Sequence, residues 1–228
     1  MRIESIGSSS KGNCHYVDVA GTKILLDAGL SVREIQKELG FITSAIDGVL
    51  LTHSHKDHSR AIKDLVRMGV DVYASVETLT EIGIRTHRTH IVKADEWFRL
   101  GAVNVLPLEM IHDVETYGYV VDGNGERLLY ITDTQYCRFN VKGVTHLIVE
   151  CNYCNELLRA GDANDALKMR IRKSHTSLQT VEKMLNDMDK SRLQHVYLTH
   201  LSDNHSDERL FRERVQRLTG VEVDVFSA

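Results

Sequence analysis

The sequence predicts a single α/β domain spanning residues 1–228, and three observations carry that expectation. At 228 residues, 42% of them hydrophobic, the chain is long enough to bury one sizeable core and short for two. Apolar runs of strand length are interleaved with amphipathic stretches of helical spacing, the order expected when helices cover sheets. The apolar run Val49-Leu50-Leu51 has a polar cluster at its carboxyl end, which is where α/β architectures place ligands.

Met1 to Ile6 alternates as an edge strand does, and Cys14 to Val19, Ala20-Gly21 and Thr22 to Asp27 read as a hairpin. The stretch from Gly7 to Asn13 between them is expected to be a turn or a flexible polar rim. Ser31 caps a helix over Val32 to Leu39 that Gly40 ends. Val49-Leu50-Leu51 is a buried strand, and Ala61, Ile62, Leu65 and Val66 carry a helix that begins near His58. Val70 to Ala74 is a further strand, Val76 to Ile82 a short helix, and Arg85 to His90 a solvated, His-rich face. Trp97 to Met110 holds two strands around Gly101. Tyr117 to Val121 and Leu128 to Thr134 follow, joined by the Asp122-Gly123-Asn124-Gly125 turn. His146 to Glu150 is the next buried strand. A helical tract from about Asn155 to Lys173 gathers Lys168, Arg170, Arg172 and Lys173, and Thr176 or Ser177 caps a helix carrying Val181, Met184 and Leu185. The strand Val196 to Leu198, an amphipathic helix over Glu208 to Leu218 and the strand Val221 to Phe226 complete the order.

Composition narrows the function. A net charge of −4 lacks the overall electrostatic footprint of a protein that grips long nucleic acid, so any such grip must come from a local basic patch. Four cysteines, Cys14, Cys137, Cys151 and Cys154, make no disulfide framework in a chain of this length. With no secretory h-region after Met1, the expectation is a cytoplasmic protein with reduced thiols, in which Cys151-Asn152-Tyr153-Cys154 is structural. No run approaches the ~20 apolar residues that a membrane helix needs.

The chemistry concentrates in Thr52-His53-Ser54-His55-Lys56-Asp57-His58, directly after the buried strand Val49 to Leu51. In an extended turn His53 and His55 project the same way and share one cation, while Asp57 and His58 face a second position beside it. Imidazole and carboxylate suit zinc and manganese alike, and two such ions about 3.5–4 Å apart hold both oxygens of a displacement at phosphorus. Asp27, which closes the hairpin, is placed to support these ligands from behind.

His53-Ser54-His55-Lys56-Asp57-His58 has the form HxHxDH, and on it the chain resembles the metallo-β-lactamase superfamily over nearly its whole length. The resemblance implies an αββα sandwich with two divalent ions at one edge. His112, Asp133 and His200, each read at a strand end, complete the ligand set it asks for: His53, His55 and His112 on one ion, Asp57, His58 and His200 on the other, and Asp133 bridging. Glu150 and the segment Ser174-His175-Thr176 resemble the pair with which tRNase Z type phosphodiesterases protonate a leaving alkoxide, so catalysis falls on Asp57 as base and on Glu150 with His175 as acid. Gly7 to Cys14, Asp27 to Ser31, Leu167 to Ile171 and His200-Leu201-Ser202 resemble the small YycJ-type (WalJ) hydrolases, which implies substrate contacts from Asn13, Lys168 and Asn204. The chain departs from that pattern at His175-Thr176-Ser177-Leu178 and at Asn204-His205, near the substrate face. It has no room for the arm of tRNA-processing relatives or for a β-CASP insert, and its size also matches phage cyclic-nucleotide phosphodiesterases of the anti-Pycsar type. The expected function is therefore a metal-dependent phosphodiesterase acting on nucleotides or nucleic acid, with homodimerisation implied by the resemblance. The alternative is a carboxylic-ester or thioester hydrolase of the lactonase or glyoxalase II type, which needs the same metals but has less use for His175.

Overall fold

The computed structural model describes residues 1–41, 43–136 and 141–226. Cys137 lies outside the described residues. Two sheets form the centre. The first runs in the order β1 (Arg2–Ser9), β2 (Gly12–Val19), β3 (Thr22–Leu26), β4 (Gly48–Leu50), β5 (Val72–Ala74) and β6 (Thr89–Ile91). The second runs from β13 (Glu222–Val225) through β12 (His195–Thr199), β11 (His146–Glu150), β10 (Glu126–Ile131), β9 (Tyr117–Gly123) and β8 (Val103–Glu109) to β7 (Phe98–Leu100). In each sheet hairpins occupy one side, and four strands, β3 to β6 or β10 to β13, are parallel on the other.

The alternation of side chains along each strand decides what packs where. Ile24, Leu26 and Leu50 of the first sheet meet Tyr119, Leu128, Tyr130 and Ile148 of the second in one buried layer between the sheets. Leu25, Val49 and Leu51 point the other way, against Ile35 of α1 (Val32–Glu38), Ile62 and Leu65 of α3 (Ile62–Arg67) and Leu79 of α4 (Val76–Glu81). α2 (Lys56–Ser59) precedes α3. On the far side Val120, Leu129, Leu147, Val149, Val196 and Leu198 meet α5 (Asn155–Ala160), α7 (Leu178–Asp187) and α8 (Glu208–Thr219). Each large side chain buried here contributes about 1.5–3 kcal/mol. Helices outside, two sheets within: the order is the αββα sandwich.

Four local expectations change. The polar stretch from Gly7 to Asn13 is mostly the ends of β1 and β2, which narrows the expected turn to Ser10 and Lys11, and these line a cavity at the site. The helix expected near His58 is two short pieces, α2 and α3. The tract expected from Asn155 to Lys173 breaks after α5 at Gly161 and resumes, capped by Asn164, as α6 (Asp165–Ser174), which buries no residue fully. The segment from Arg85 to His90, expected to be a solvated face, runs into edge strand β6, where the His90 ring stacks on Tyr73 with centroids 4.6 Å apart. The Asn124-Gly125 turn between β9 and β10 forms as expected, both residues at positive φ, 53° and 75°. Among the described residues no helix is long and apolar enough to cross a membrane.

Candidate metal centre

The site lies where the parallel strands end, a place where loops from several strands converge on one crevice. β3 delivers Asp27, β4 delivers Thr52 and His53, β10 delivers Asp133, β11 ends in Glu150 and β12 delivers His200. Asp27, Asp133 and His200 all have positive φ, 61°, 43° and 55°. Such backbone strain costs on the order of 1 kcal/mol or more for a non-glycine residue and survives only where the surroundings enforce it. For His200 the enforcement is visible: its N–H donates to Ser8 Oγ at 2.8 Å, and its carbonyl accepts from Asn152 Nδ2 at 2.7 Å.

Close approach of two turns builds the floor. The turn after β3 packs so tightly on the metal loop that a Cβ on Gly29 would lie 1.6 Å from the Asp57 carbonyl oxygen, so only glycine fits. Ala28 N–H donates to the His58 carbonyl at 2.7 Å, and Ala61 N–H donates to the Ala28 carbonyl at 2.9 Å. Asp27 is fully buried beneath them and accepts from Thr52 N–H at 2.8 Å, Thr52 Oγ1 at 2.9 Å, Tyr130 OH at 2.7 Å and His58 Nδ1 at 2.8 Å. These bonds set tautomers. Thr52 Oγ1 gives its proton to Asp27 and so accepts from His53 Nδ1 at 2.9 Å, which leaves His53 Nε2 unprotonated. His58 Nδ1, occupied by Asp27, leaves Nε2 to face the crevice.

Two groups of ligand atoms result. His53 Nε2 lies 3.1 Å from His55 Nδ1, and His112 Nε2 lies 3.4 Å from that same atom. A tetrahedral cation with bonds of about 2.0–2.1 Å requires nitrogens about 3.3 Å apart, so the three imidazoles stand where one ion needs them. His112 Nδ1 is buried without a partner among the described residues, while Nε2 also lies 2.9 Å from Asp113 Oδ1. In the second group Asp133 is central: Oδ2 lies 2.6 Å from His58 Nε2 and 3.7 Å from His53 Nε2, and Oδ1 lies 3.1 Å from His200 Nδ1. Asp57 stands at the edge, 3.6 Å from His58 Nε2. Burial alone would hold the His58 imidazole neutral, but the Asp133 and Asp27 carboxylates on its two sides raise its pKa well above the ordinary value. A proton on Nε2 thus stands where a cation would satisfy the same carboxylate. Asp133 shows the converse: burial opposes its charge, yet His58 and His200 hold its pKa well below the usual range. The donor set fits a divalent metal.

Beside these ligands lies the pair Glu150 and His175. Glu150, fully buried, accepts from His175 Nδ1 at 2.6 Å and from Thr176 N–H at 3.0 Å and Oγ1 at 3.1 Å. Burial lowers the His175 pKa, but the Glu150 charge, helped by Asp133, outweighs it and lifts the value to about 10. His175 Nδ1 is also 3.2 Å from Asp133 Oδ1, closer to the ligand cluster than its proposed role demands.

Three cavities meet here. One of about 310 Å³ is lined by His175, His200, Asn152 and Asn204, one of about 600 Å³ by His112, Asp113 and Arg170, and one of about 660 Å³ by Asp57 and Lys56. Asn204 is therefore at the site. Asn13 is buried against His58, with Nδ2 3.1 Å from the Nε2 that faces the crevice, and lines none of the three cavities. Lys168 turns back onto the Arg159 carbonyl at 3.2 Å, and Arg170, two residues on, lines two of the cavities instead. Helical phase within the broken tract decides between them, and it was not readable without knowing where α6 begins. Ser8, Asn152 and Tyr130 were also missed, because they act through hydrogen bonds that carry no sequence pattern. Cys14, Cys151 and Cys154 are free and buried, apart from this chemistry.

Residues 22–201 match the family described as the beta-lactamase superfamily domain. The chain belongs to that superfamily. Exodeoxyribonuclease YycJ of Bacillus anthracis is 29% identical over 234 residues, covering 96% of this chain and 89% of the relative. Exodeoxyribonuclease WalJ of Streptococcus pneumoniae is 28% identical over 247 residues, covering 99% and 91%. Among solved structures the metallo-β-lactamase fold protein YhfI of Bacillus subtilis aligns with a TM-score of 0.76 at 18% identity, covering 98% of this chain and 95% of that one, a likeness of fold. The beta-lactamase superfamily fold implies divalent metal ions, and the groups His53, His55 and His112, His53, His58 and Asp133, and Asp133, Glu150, His175 and His200 are where this chain could hold them.

Proposed function

We propose that this protein is a cytoplasmic, dinuclear metal-dependent phosphodiesterase acting on nucleotides or nucleic acid. The observation that carries the reading is the Glu150–His175 pair set against the ligand cluster, since an alkoxide leaving group needs a proton that an acyl leaving group can do without. His53, His55 and His112 would hold one ion, Asp57, His58 and His200 the other, and Asp133 would lie between them. Zinc fits this nitrogen-rich set best, and manganese is compatible with it. When bound, the ions supply a water of lowered pKa and charge to match that developing on the phosphoryl oxygens. Asp57, which lines the 660 Å³ cavity, would orient the attacking water and take its proton. Glu150 holds Nδ1 of His175, so the proton on Nε2 is the one available to the departing oxygen. The nuclease relatives support the same reading. The test is turnover of bis-p-nitrophenyl phosphate beside a thioester and a lactone by metal-loaded protein. Hydrolysis of the carbonyl substrates alone would overturn it.

A further inference from the structure

An imidazole that serves an ion offers one nitrogen to it and carries a proton on the other, and the partner of that proton decides which nitrogen is free to ligate. Thr52 is that partner for His53, and Asp27 is that partner for His58. His55, at the edge of the cluster, depends on a different group. Its Nδ1 faces His53 Nε2 at 3.1 Å and His112 Nε2 at 3.4 Å, so its proton belongs on Nε2, on a ring whose side chain is 37% exposed. Asp113 stands on that side, with Oδ1 3.6 Å from His55 Nε2. The same oxygen lies 2.9 Å from His112 Nε2, the nitrogen proposed to share an ion with His55 Nδ1. A nitrogen that gives its lone pair to a cation has no proton to donate. Occupation of the site therefore takes His112 Nε2 away from Asp113 and leaves His55 Nε2–H as the donor beside it. The loop that carries Asp113 is held at its base, where Met110 N–H donates to the Thr116 carbonyl at 2.9 Å. Ile111 N–H donates to Thr134 Oγ1 at 3.1 Å, which ties the loop to the turn after Asp133. On that fixed backbone the 60% exposed Asp113 side chain has room to close the gap to His55 by rotating its own torsions.

Resting on the metal-centre reading of the same site, we propose that Asp113 is the positioning residue of His55. Its carboxylate accepts from Nε2–H, keeps Nδ1 unprotonated and orients a ring that solvent reaches. Asp113 also lines the 600 Å³ cavity with Arg170 and Lys173. A carboxylate that only balanced those cations would act through its charge and would be indifferent to the His55 proton. Asp113→Asn separates the two roles, because it drops the charge but keeps an oxygen that accepts from Nε2–H.

The test titrates zinc into the chelator-stripped full chain against a chromophoric chelator, beside long-range proton–nitrogen spectra of zinc-loaded protein labelled with ¹⁵N-histidine. Wild-type His55 is expected to ligate through Nδ1 and to show an Nε2–H that exchanges slowly with water. Asp113→Ala is expected to weaken one of the zinc sites by roughly 10–100-fold and to lose that slow proton. Asp113→Asn is expected to lose less, since a neutral acceptor makes a weaker bond than a charged one, and to keep the slow proton. Wild-type affinity in Asp113→Ala would overturn the proposal, as would equal losses in the two variants or the outright loss of one ion, which would make Asp113 a ligand. Ligation of wild-type His55 through Nε2 would overturn it without any variant. If wild-type protein hydrolyses bis-p-nitrophenyl phosphate and all three affinities agree, the Asp113 assignment alone fails. If affinities and spectra are as stated but zinc-loaded protein hydrolyses no diester, Asp113 keeps its role and the phosphodiesterase reading fails.

Discussion

Asp27→Asn changes one atom and no volume, yet it should disable a metal ligand without itself reaching the metal. In the native protein Asp27 Oδ2 accepts from both His58 Nδ1 at 2.8 Å and Tyr130 OH at 2.7 Å, while Oδ1 accepts from Thr52 N–H at 2.8 Å. An amide nitrogen in the Oδ2 position faces two donors. Tyr130 can rotate its hydroxyl, but His58 must move its proton to Nε2, the atom that points at Asp133 and is proposed to bind metal. The flipped amide fares no better, because its NH₂ then faces the Thr52 backbone N–H, which has no alternative. Losing the charge-assisted bond to His58 and leaving one donor unsatisfied costs about 2–4 kcal/mol in the metal-free protein. Removing a carboxylate that orients a ligating histidine costs a further 10–100-fold in metal affinity. Metal analysis after dialysis against graded chelator, together with urea denaturation of the metal-free chain, reads both effects. Unchanged metal affinity would show that Asp27 is only a packing group and that the tautomer argument is wrong.

Three other predictions concern different parts of the account. His175→Ala should keep the metals and lose roughly 10²–10⁴-fold on a diester with an alkoxide leaving group, but far less on a p-nitrophenyl ester, whose leaving group departs unprotonated. Equal losses in those two assays would move His175 into the ligand set, where its 3.2 Å approach to Asp133 also points. Gly29→Ala forces the turn after β3 away from the Asp57 carbonyl and should cost about 3 kcal/mol, or roughly 10 °C in Tm, with weakened metal binding; a thermal melt like the wild type would refute the close approach. His15 is buried between Tyr130 and Phe226, and that burial, opposed by the Asp27 charge, lowers its pKa from 6.5 to about 4. The unfolded chain then binds the proton first, so stability is full above about pH 6.5 and falls by up to ~3 kcal/mol as pH drops to about 4. His15→Phe, which keeps the ring stack, should flatten that acid limb in urea titrations.

The frame of this fold was legible because apolar alternation and turn chemistry act locally. Val49 to Leu51, His146 to Glu150 and the Asn124-Gly125 turn all sit where their residues dictate. The ligand motif was legible for a related reason, since six consecutive residues carry four candidate ligands and need no tertiary contact to be recognised. What escaped depends on distant packing. Gly7 to Asn13 looks like a loop until Leu30 and Gly29 are placed against Gly7 and Gly12, where any Cβ would collide. Strand β6 is short and polar, and only its pairing with Val72 to Ala74 makes it a strand. Lys168 and Arg170 differ by two residues on one helix and so by about 200° of direction, a distinction set by where Asn164 restarts the chain.

The central claim is that this crevice activates water for phosphodiester cleavage with two ions. Its most direct test is to titrate zinc or manganese into chelator-stripped protein and follow bis-p-nitrophenyl phosphate turnover against ions bound per chain. Turnover should be absent in the stripped protein and reach its maximum as the second ion is taken up. Full activity in chelator, a maximum at one ion, or no hydrolysis at any loading would contradict it.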